Sequence, residues 1–169
     1  MTRTLFLKWT FVVLAALAVG GCSTIASTYD KALALVGLKG DKVAWKDVVL
    51  VASEGANLNS PVAVDIVLVV EETSMEKVAA QPAAKWFQTR ADMLKTFPGS
   101  FIYKTWEVSP GQTIRLADPS FGGPRVAGVF VFADYLTPGD HRIRVQELQN
   151  GIIVELGARN FSVRPIKAE

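Results

Sequence analysis

The chain has 169 residues, and its formal net charge of +2 comes from 18 basic and 16 acidic side chains. The two extra positive charges, Arg3 and Lys8, lie within the first ten residues. The rest of the chain is therefore neutral, and its charge gives no argument for binding nucleic acid. The length suits one domain with a hydrophobic core. The single cysteine and single histidine cannot build a zinc site of the usual ligands.

The first 22 residues fall into three zones. Arg3 and Lys8 give a positive start, an uncharged apolar run extends from Trp9 to Val19, and two glycines precede Cys22. This is the layout of a secretory signal peptide. The apolar run is about half as long as the roughly 20 residues that a membrane-spanning helix needs. We therefore expect a leader that is removed after export.

Val19-Gly20-Gly21-Cys22 resembles the bacterial lipobox, in which the cysteine receives a diacylglycerol and then a further acyl chain such as palmitate. The resemblance implies that residues 1–21 are a lipoprotein signal peptide and that Cys22 is the lipidation site. Two or three acyl chains anchor a protein firmly, at about 0.8 kcal/mol per buried methylene. By resemblance to lipoprotein sorting, Ser23 favours the periplasmic face of the outer membrane. The alternative is a plain secreted protein with a cysteine there by chance.

After the leader, residues 22–41 are predicted to be a lipidated tether and lead-in, and residues 42–169 to form the domain. In most of this domain, apolar residues recur at every second position, which is the pattern of β-strands. Strands are predicted at Val43–Ala52, Val62–Val70, Phe101–Val108, Gln112–Leu116, Arg125–Tyr135 and Phe161–Val163. Thr137–Asp140 has the composition of a turn, with Pro and Gly at its centre. Asn150-Gly151 is typical of a type I′ turn, which predicts a hairpin between His141–Leu148 and Ile152–Leu156.

One region follows a helical period instead. Thr73 and Glu76 have the spacing of a capping box, and Pro82 opens a second helical stretch over Ala83–Phe97. Its side chains at three- and four-residue spacing form an apolar stripe that should pack against another part of the domain; they are Trp86, Arg90, Met93, Leu94 and Phe97. Seven or eight short strands with this single interruption predict a mainly β fold. We expect an antiparallel two-sheet β-sandwich with a short helical insertion between its second and third strands.

Candidates for chemistry are few, so we expect no enzyme, no catalytic residue, no metal and no cofactor. His141 is more readily explained by a structural role, and no Gly-x-Ser-x-Gly motif accompanies it. The acids Glu71, Glu72 and Asp134 are a weak route to a hydrolase. Aromatic residues at these periods usually belong to a core, although they can line a ligand groove; here they are Trp45, Trp86 and Trp106.

Several segments, in this order, are similar to the TssJ family, the outer-membrane lipoproteins of type VI secretion systems. They are the lipobox, Leu58-Asn59 after the first strand, Ser60-Pro61-Val62, the helical residues Phe87, Ala91 and Leu94, Ser109-Pro110-Gly111, and the run Val126–Tyr135. The resemblance implies a transthyretin-like sandwich topology. It also implies binding to the periplasmic domain of the large inner-membrane component, TssM. The chain departs from the family in its short first loop, Glu54–Ser60, and in having His141-Arg142 where Trp-Arg is usual.

A domain without catalytic residues acts through its surface, and loops at sheet ends are common docking places. The predicted partner-binding loop consists of Gly55, Ala56, Asn57, Leu58, Asn59 and Ser60. We therefore expect a lipoprotein that anchors the periplasm-spanning complex of a type VI secretion system by binding a TssM-like protein. The alternative is a periplasmic ligand-binding or accessory envelope lipoprotein unrelated to secretion.

Overall fold

The computed structural model describes residues 40–117 and 125–167. The predicted leader, Cys22 and the tether up to residue 39 lie outside these residues. A compact unit begins at Gly40. Within the described ranges, no helix has both the length and the apolar character that crossing a membrane requires.

The described residues form ten strands, two α-helices and two 3₁₀ turns. The strands are β1 Asp41–Lys42, β2 Ala44–Ala52, β3 Val62–Val69, β4 Phe101–Val108, β5 Thr113–Ala117, β6 Arg125–Val126, β7 Gly128–Asp134, β8 Arg142–Val145, β9 Gln149–Leu156 and β10 Phe161–Pro165. The helices are α1 Met75–Ala79 and α2 Ala83–Thr96, and the 3₁₀ turns are Ala56–Leu58 and Glu72–Ser74.

Two four-stranded sheets form the predicted sandwich. The first sheet has the order β10-β9-β2-β5 and the second has the order β4-β3-β7-β8, while β1 and β6 form a small ribbon. The main core lies where the inward faces of the two sheets meet, with fully buried side chains such as Val48, Leu50, Val64, Ile66, Val131 and Ile152. The predicted mainly β sandwich is thereby confirmed.

The helical insertion follows the second long strand, as predicted, and covers the outer face of the second sheet. This face has its own apolar cluster, built around Trp86 with Val67, Val69, Phe101, Phe130 and Phe132. Trp86 stacks on Phe132 with ring centroids 4.9 Å apart. Strand β7 is buried on both faces in consequence, which explains its unbroken apolar run.

Two details of this insertion differ from expectation. The predicted capping box is wrong, because neither the 3₁₀ turn at Glu72–Ser74 nor α1 has a side-chain cap. The turn occupies the residues that the box would need, so α1 begins only at Met75. In the predicted stripe on α2, Leu94 faces solvent, whereas Met93 and Phe97 pack against the cluster.

The predicted hairpin at Asn150-Gly151 is also wrong. Both residues lie inside β9, which pairs in parallel with β2 in the first sheet, whereas β8 belongs to the second sheet and is shorter than predicted. The pairing shifts register between Trp45 and Asp47, opposite this dipeptide. A Cβ at Gly151 would lie 2.1 Å from the backbone oxygen of Asp47. The Asn-Gly pair therefore makes a bulge at a close backbone approach.

Candidate functional site

Four loops meet at one end of the sandwich, and the predicted partner-binding loop is one of them. We call the segments 53–61, 109–112, 135–141 and 157–160 the loop end. Backbone hydrogen bonds tie them together: the amides of Asn57 and Leu58 donate to the carbonyls of Gly157 and Ala158, at 3.1 and 3.2 Å. The amide of Gly111 donates to the carbonyl of Ser53 at 3.1 Å. The predicted loop is therefore fixed from two sides.

The side chain of Asn57 joins two of these loops. It is buried, its Oδ1 accepts a hydrogen bond from the amide of Leu136 at 2.7 Å, and its Nδ2 donates to the carbonyl of Pro61 at 2.9 Å. A buried amide with both ends satisfied fixes the geometry of the groups around it. Asn57 thus sets the position of Leu136 relative to the predicted loop.

The predicted loop also has an unusual backbone. Asn57, Leu58 and Asn59 have φ values of 47°, 57° and 64°, all in the left-handed region. Asparagine tolerates this region, but for leucine it costs roughly 1–2 kcal/mol. The turn exposes the side chain of Leu58, whereas Ala56 is fully buried. Of the six predicted residues, Leu58 and Asn59 are therefore the most accessible.

The loop 135–141 was not predicted as part of the site. The hydroxyl of Tyr135 lies within hydrogen-bonding distance of the carbonyls of Gly157 and Asn160, at 3.1 and 2.9 Å. Burial raises the pKa of Tyr135 to about 12. Thr137 Oγ1 donates to the carbonyl of Arg159 at 3.0 Å. These bonds hold Leu136, next to Tyr135, in an exposed position.

His141 closes the turn of this loop. Its Nε2 lies 2.8 Å from the carbonyl oxygen of Thr137, and its ring stacks on Tyr135 with centroids 4.7 Å apart. Its Nδ1 is buried and has no hydrogen-bond partner among the described residues. A Cβ at Gly139 would lie 2.8 Å from Nε2 of His141, so glycine leaves room for the ring. These contacts give His141 a structural role.

A second polar cluster, also missed from the sequence, lies under α2. Asp65 is fully buried on β3, accepts hydrogen bonds from Trp86 Nε1 at 2.8 Å and Thr105 Oγ1 at 2.6 Å, and pairs with the guanidinium of Arg90. That guanidinium also lies 4.7 Å from the ring centre of Phe87. The cluster joins the helix to the sheet.

The other candidate acids do not form a metal site. Burial raises the pKa of Asp134, and the nearby Asp65 adds to this, while Arg90 opposes it. Glu71 accepts a hydrogen bond from Ser100 Oγ at 2.6 Å. Across residues 40–117 and 125–167, no group of three or more His, Cys, Asp or Glu could hold a metal ion.

The tryptophans that could have lined a ligand groove belong to the packing instead. Trp45 and Trp86 are buried, and Trp106 is half-buried against the main core. An open depression of about 480 Å³ lies beside β9 and β10 and includes one aromatic side chain, Phe161. The expectation that the tryptophans are core residues is confirmed.

Comparison with known proteins gives a fold likeness. No protein-family model matches the chain, and no curated protein matches it. Among solved structures, it is similar to the T6SS lipoprotein TssJ1 from Pseudomonas aeruginosa, with a TM-score of 0.54 and 13% identity, over 76% of this chain and 99% of that one.

Two further structures show the same likeness. A chain of a type VI membrane complex matches with a TM-score of 0.54 and 18% identity, over 74% of this chain and 99% of that one. A chain in the structure of the T6SS protein TssM C-terminal domain from EAEC matches with a TM-score of 0.53 and 16% identity, over 71% and 97%. The likeness to TssJ1 confirms the predicted resemblance to TssJ for the fold.

Proposed function

We propose that this chain is an outer-membrane lipoprotein of a type VI secretion system, held in the membrane through acylated Cys22. At the loop end it binds the periplasmic domain of a TssM-like inner-membrane protein. The observation that carries the proposal is the likeness to TssJ1 over 99% of that lipoprotein's chain. The exposed Leu58 in the predicted partner-binding loop supports the docking role.

Such a protein acts by holding its partner at a fixed place relative to the membrane. The lipid attaches one end to a membrane, and the sandwich presents pre-formed loops to a partner in the periplasm. A rigid sandwich with short fixed loops loses little conformational freedom on binding, so a small surface suffices for a specific contact. No covalent chemistry is required of the described residues.

The anchor is tested with Cys22→Ser. This variant should be folded, by circular dichroism, but should leave the membrane fraction after a salt wash. Two or three acyl chains bind a bilayer firmly, and the variant has none. Ser23→Asp is the matched control: it keeps the lipid, and it should move the protein to the inner membrane on a density gradient. Retention of Cys22→Ser in the membrane would contradict the anchor.

The partner is tested by a pull-down of the lipidated full chain from envelope extracts. We expect recovery of a large inner-membrane protein with a TssM-like periplasmic domain. A chain that stays in the outer membrane yet recovers no such protein would contradict the secretion role. That result would favour the alternative function, a periplasmic ligand-binding or accessory envelope lipoprotein unrelated to secretion.

A further inference from the structure

We infer that this chain pairs with a second copy of itself through the edge strand β4. The two β4 strands run antiparallel about a two-fold axis at Thr105, so the second sheets of the two copies join into one. This pairing goes beyond the proposed function and does not rest on it, because it needs neither the lipid nor a TssM-like partner.

The two four-stranded sheets of the described residues have four edges, and these differ in length. The strands β5, β8 and β10 form three of the edges and have four or five residues each, and β10 also contains Pro165. The fourth edge is β4, which has eight residues and no proline. Short strands and prolines protect a sheet edge, whereas a long regular edge is a template for pairing with another chain. Of the four edges, β4 is therefore the one suited to association.

Along β4, every second residue directs its backbone groups away from β3. The amide of Val70 donates to the carbonyl of Ser100 at 2.8 Å, and this pair continues the register of the two strands. In an antiparallel ladder, hydrogen-bonded pairs alternate with pairs whose backbone groups face the other way. The outward residues therefore include Tyr103, Thr105 and Glu107. In the part of the chain that the structure describes, nothing bonds to their outward amides and carbonyls.

A two-fold axis at Thr105 satisfies these outward groups. It places Thr105 opposite Thr105 of the second copy, and it places Tyr103 of each copy opposite Glu107 of the other. Each of these opposed pairs exchanges two backbone hydrogen bonds, which gives about six bonds in all. An axis one residue earlier, at Lys104, would place two lysines directly opposite each other, and like charges in that position are destabilising. The register centred on Thr105 is therefore preferred.

Charge complementarity favours the same register. Glu107 is exposed, and the axis brings its carboxylate beside Tyr103 of the other copy. The guanidinium of Arg90 lies 5.3 Å from the centre of that Tyr103 ring, and the Arg90 side chain is 25% exposed. Its partner within the chain, Asp65, is fully buried, so the exposed part of the guanidinium is open to a second acid. Each copy thus offers Arg90 to Glu107 of the other, which fixes the register of the contact.

Two of the four exposed large hydrophobic side chains lie beside this edge. Ile102, on β4 itself, is 42% exposed, and the axis places it opposite Val108 of the second copy. Leu94 is 39% exposed and lies on the same side of α2 as Phe87. That side faces β4, because the guanidinium of Arg90 reaches both the Phe87 ring, at 4.7 Å, and the hydroxyl of a threonine on β4, at 3.4 Å. Pairing through β4 therefore brings apolar surface as well as backbone into the contact.

The test uses the full chain expressed in its own host. Thr105→Cys places a thiol at the axis, and a short bis-maleimide should link two copies, because opposed residues of a hydrogen-bonded pair have Cα atoms about 5.5 Å apart. Ser162→Cys is the matched control on the edge strand β10, and it should give no such product. Electrophoresis measures the fraction of chains at twice the mass of one chain. The unsubstituted chain controls for Cys22.

Glu107→Pro tests the edge without disturbing the pairing of β4 with β3. The amide of Glu107 points outward, where proline is tolerated, so circular dichroism should show the fold unchanged. In the Thr105→Cys background, this variant removes one hydrogen bond from each copy and the charge, and it should lower cross-linking at least about fivefold. Glu107→Gln removes the charge alone and should lower it about twofold. Light scattering of the unlabelled chain in detergent should show a dimer that Glu107→Pro converts to a monomer.

Three results would overturn the pairing. They are cross-linking of Thr105→Cys no greater than that of Ser162→Cys, cross-linking that Glu107→Pro leaves unchanged, and a product of another mass, which would show that the edge takes a different protein. The hydroxyl of Thr105 bonds to Asp65, so if Thr105→Cys does not fold, light scattering of the unlabelled chain and of Glu107→Pro decides. The proposed function is judged separately, by recovery of a TssM-like protein.

Discussion

The two faces of the second sheet are held in different ways, although the same strands form both. Along β3, Val64, Ile66 and Leu68 face the first sheet and pack within a cluster of buried hydrophobic side chains. Their neighbour Asp65 faces the helices and is fully buried with three donors around it. Apolar burial is non-directional, whereas a satisfied polar cluster permits one arrangement. We therefore infer that the first face supplies stability and that Asp65 fixes the position of α2.

The largest loss of stability is expected from Asp65→Ala, which removes the acceptor at the centre of the buried polar cluster. The substitution leaves Trp86 Nε1 and the guanidinium of Arg90 without their acceptor, and breaking a buried pair in this way costs about 4 kcal/mol. The free energy of unfolding from chemical denaturation measures the loss. Hydrogen exchange should show that amides of α2 lose more protection than those of β3.

Asp47→Ala is the control, because Asp47 pairs with Arg115 on an exposed surface. Exposed ion pairs contribute little, so stability should hardly change. Equal losses in the two variants, or uniform loss of protection in Asp65→Ala, would contradict the positioning role of Asp65.

A smaller loss, about 3 kcal/mol, is expected from Ile66→Ala on the apolar face. Ile66 is fully buried between the sheets, and truncation leaves a cavity among Val and Leu side chains. Here α2 should lose protection only in step with the whole domain, because its polar contacts are intact. A selective release of α2 in this variant would show that the two faces are not separable.

The smallest effect is expected from Asp134→Asn, near the end of the helix-covered face. Burial raises the pKa of Asp134 above its ordinary value of 3.8. The folded state then binds the proton of this carboxyl more tightly than the unfolded state does. The free energy of unfolding should therefore fall as the pH rises from about 3.8 to the higher pKa of the folded state. Asparagine should remove this dependence of stability on pH and should slightly raise stability at neutral pH. Thermal melts from pH 3 to 7 would show both effects. An unchanged slope would mean that the interaction with Arg90 balances the effect of burial.

The sequence predicted what depends on local periodicity. The alternation in Val62–Val70 and the helical spacing from Trp86 to Phe97 located β3 and α2 within a residue or two. The unbroken apolar run in β7 correctly indicated a strand covered on both faces. These elements were predictable because each buries its own repeating face, whatever its neighbours are.

The sequence could not predict features that depend on distant partners. Asn150-Gly151 has the composition of a hairpin turn, but the close approach of Asp47 makes it a bulge. Asp65 is a lone acid in an apolar strand until α2 brings Trp86 and Arg90 to it. Leu136 follows a buried strand, and only its bond to Asn57 places it beside the predicted loop. The candidate site was therefore half predicted, through the loop that contains Leu58.

The parallel pairing of β2 with β9 also sets the order in which the molecule can fold. Ala44 pairs with Gln149, about a hundred residues later, and β9 then supports β10. Until residues 149–156 are available, the first sheet consists of β2 and β5 alone, and closing so long a loop is entropically costly. We expect folding to be slow and to finish only with the C-terminal strands. If residues 1–21 export the chain as proposed, this delay would keep the chain unfolded until nearly all of it has left the ribosome.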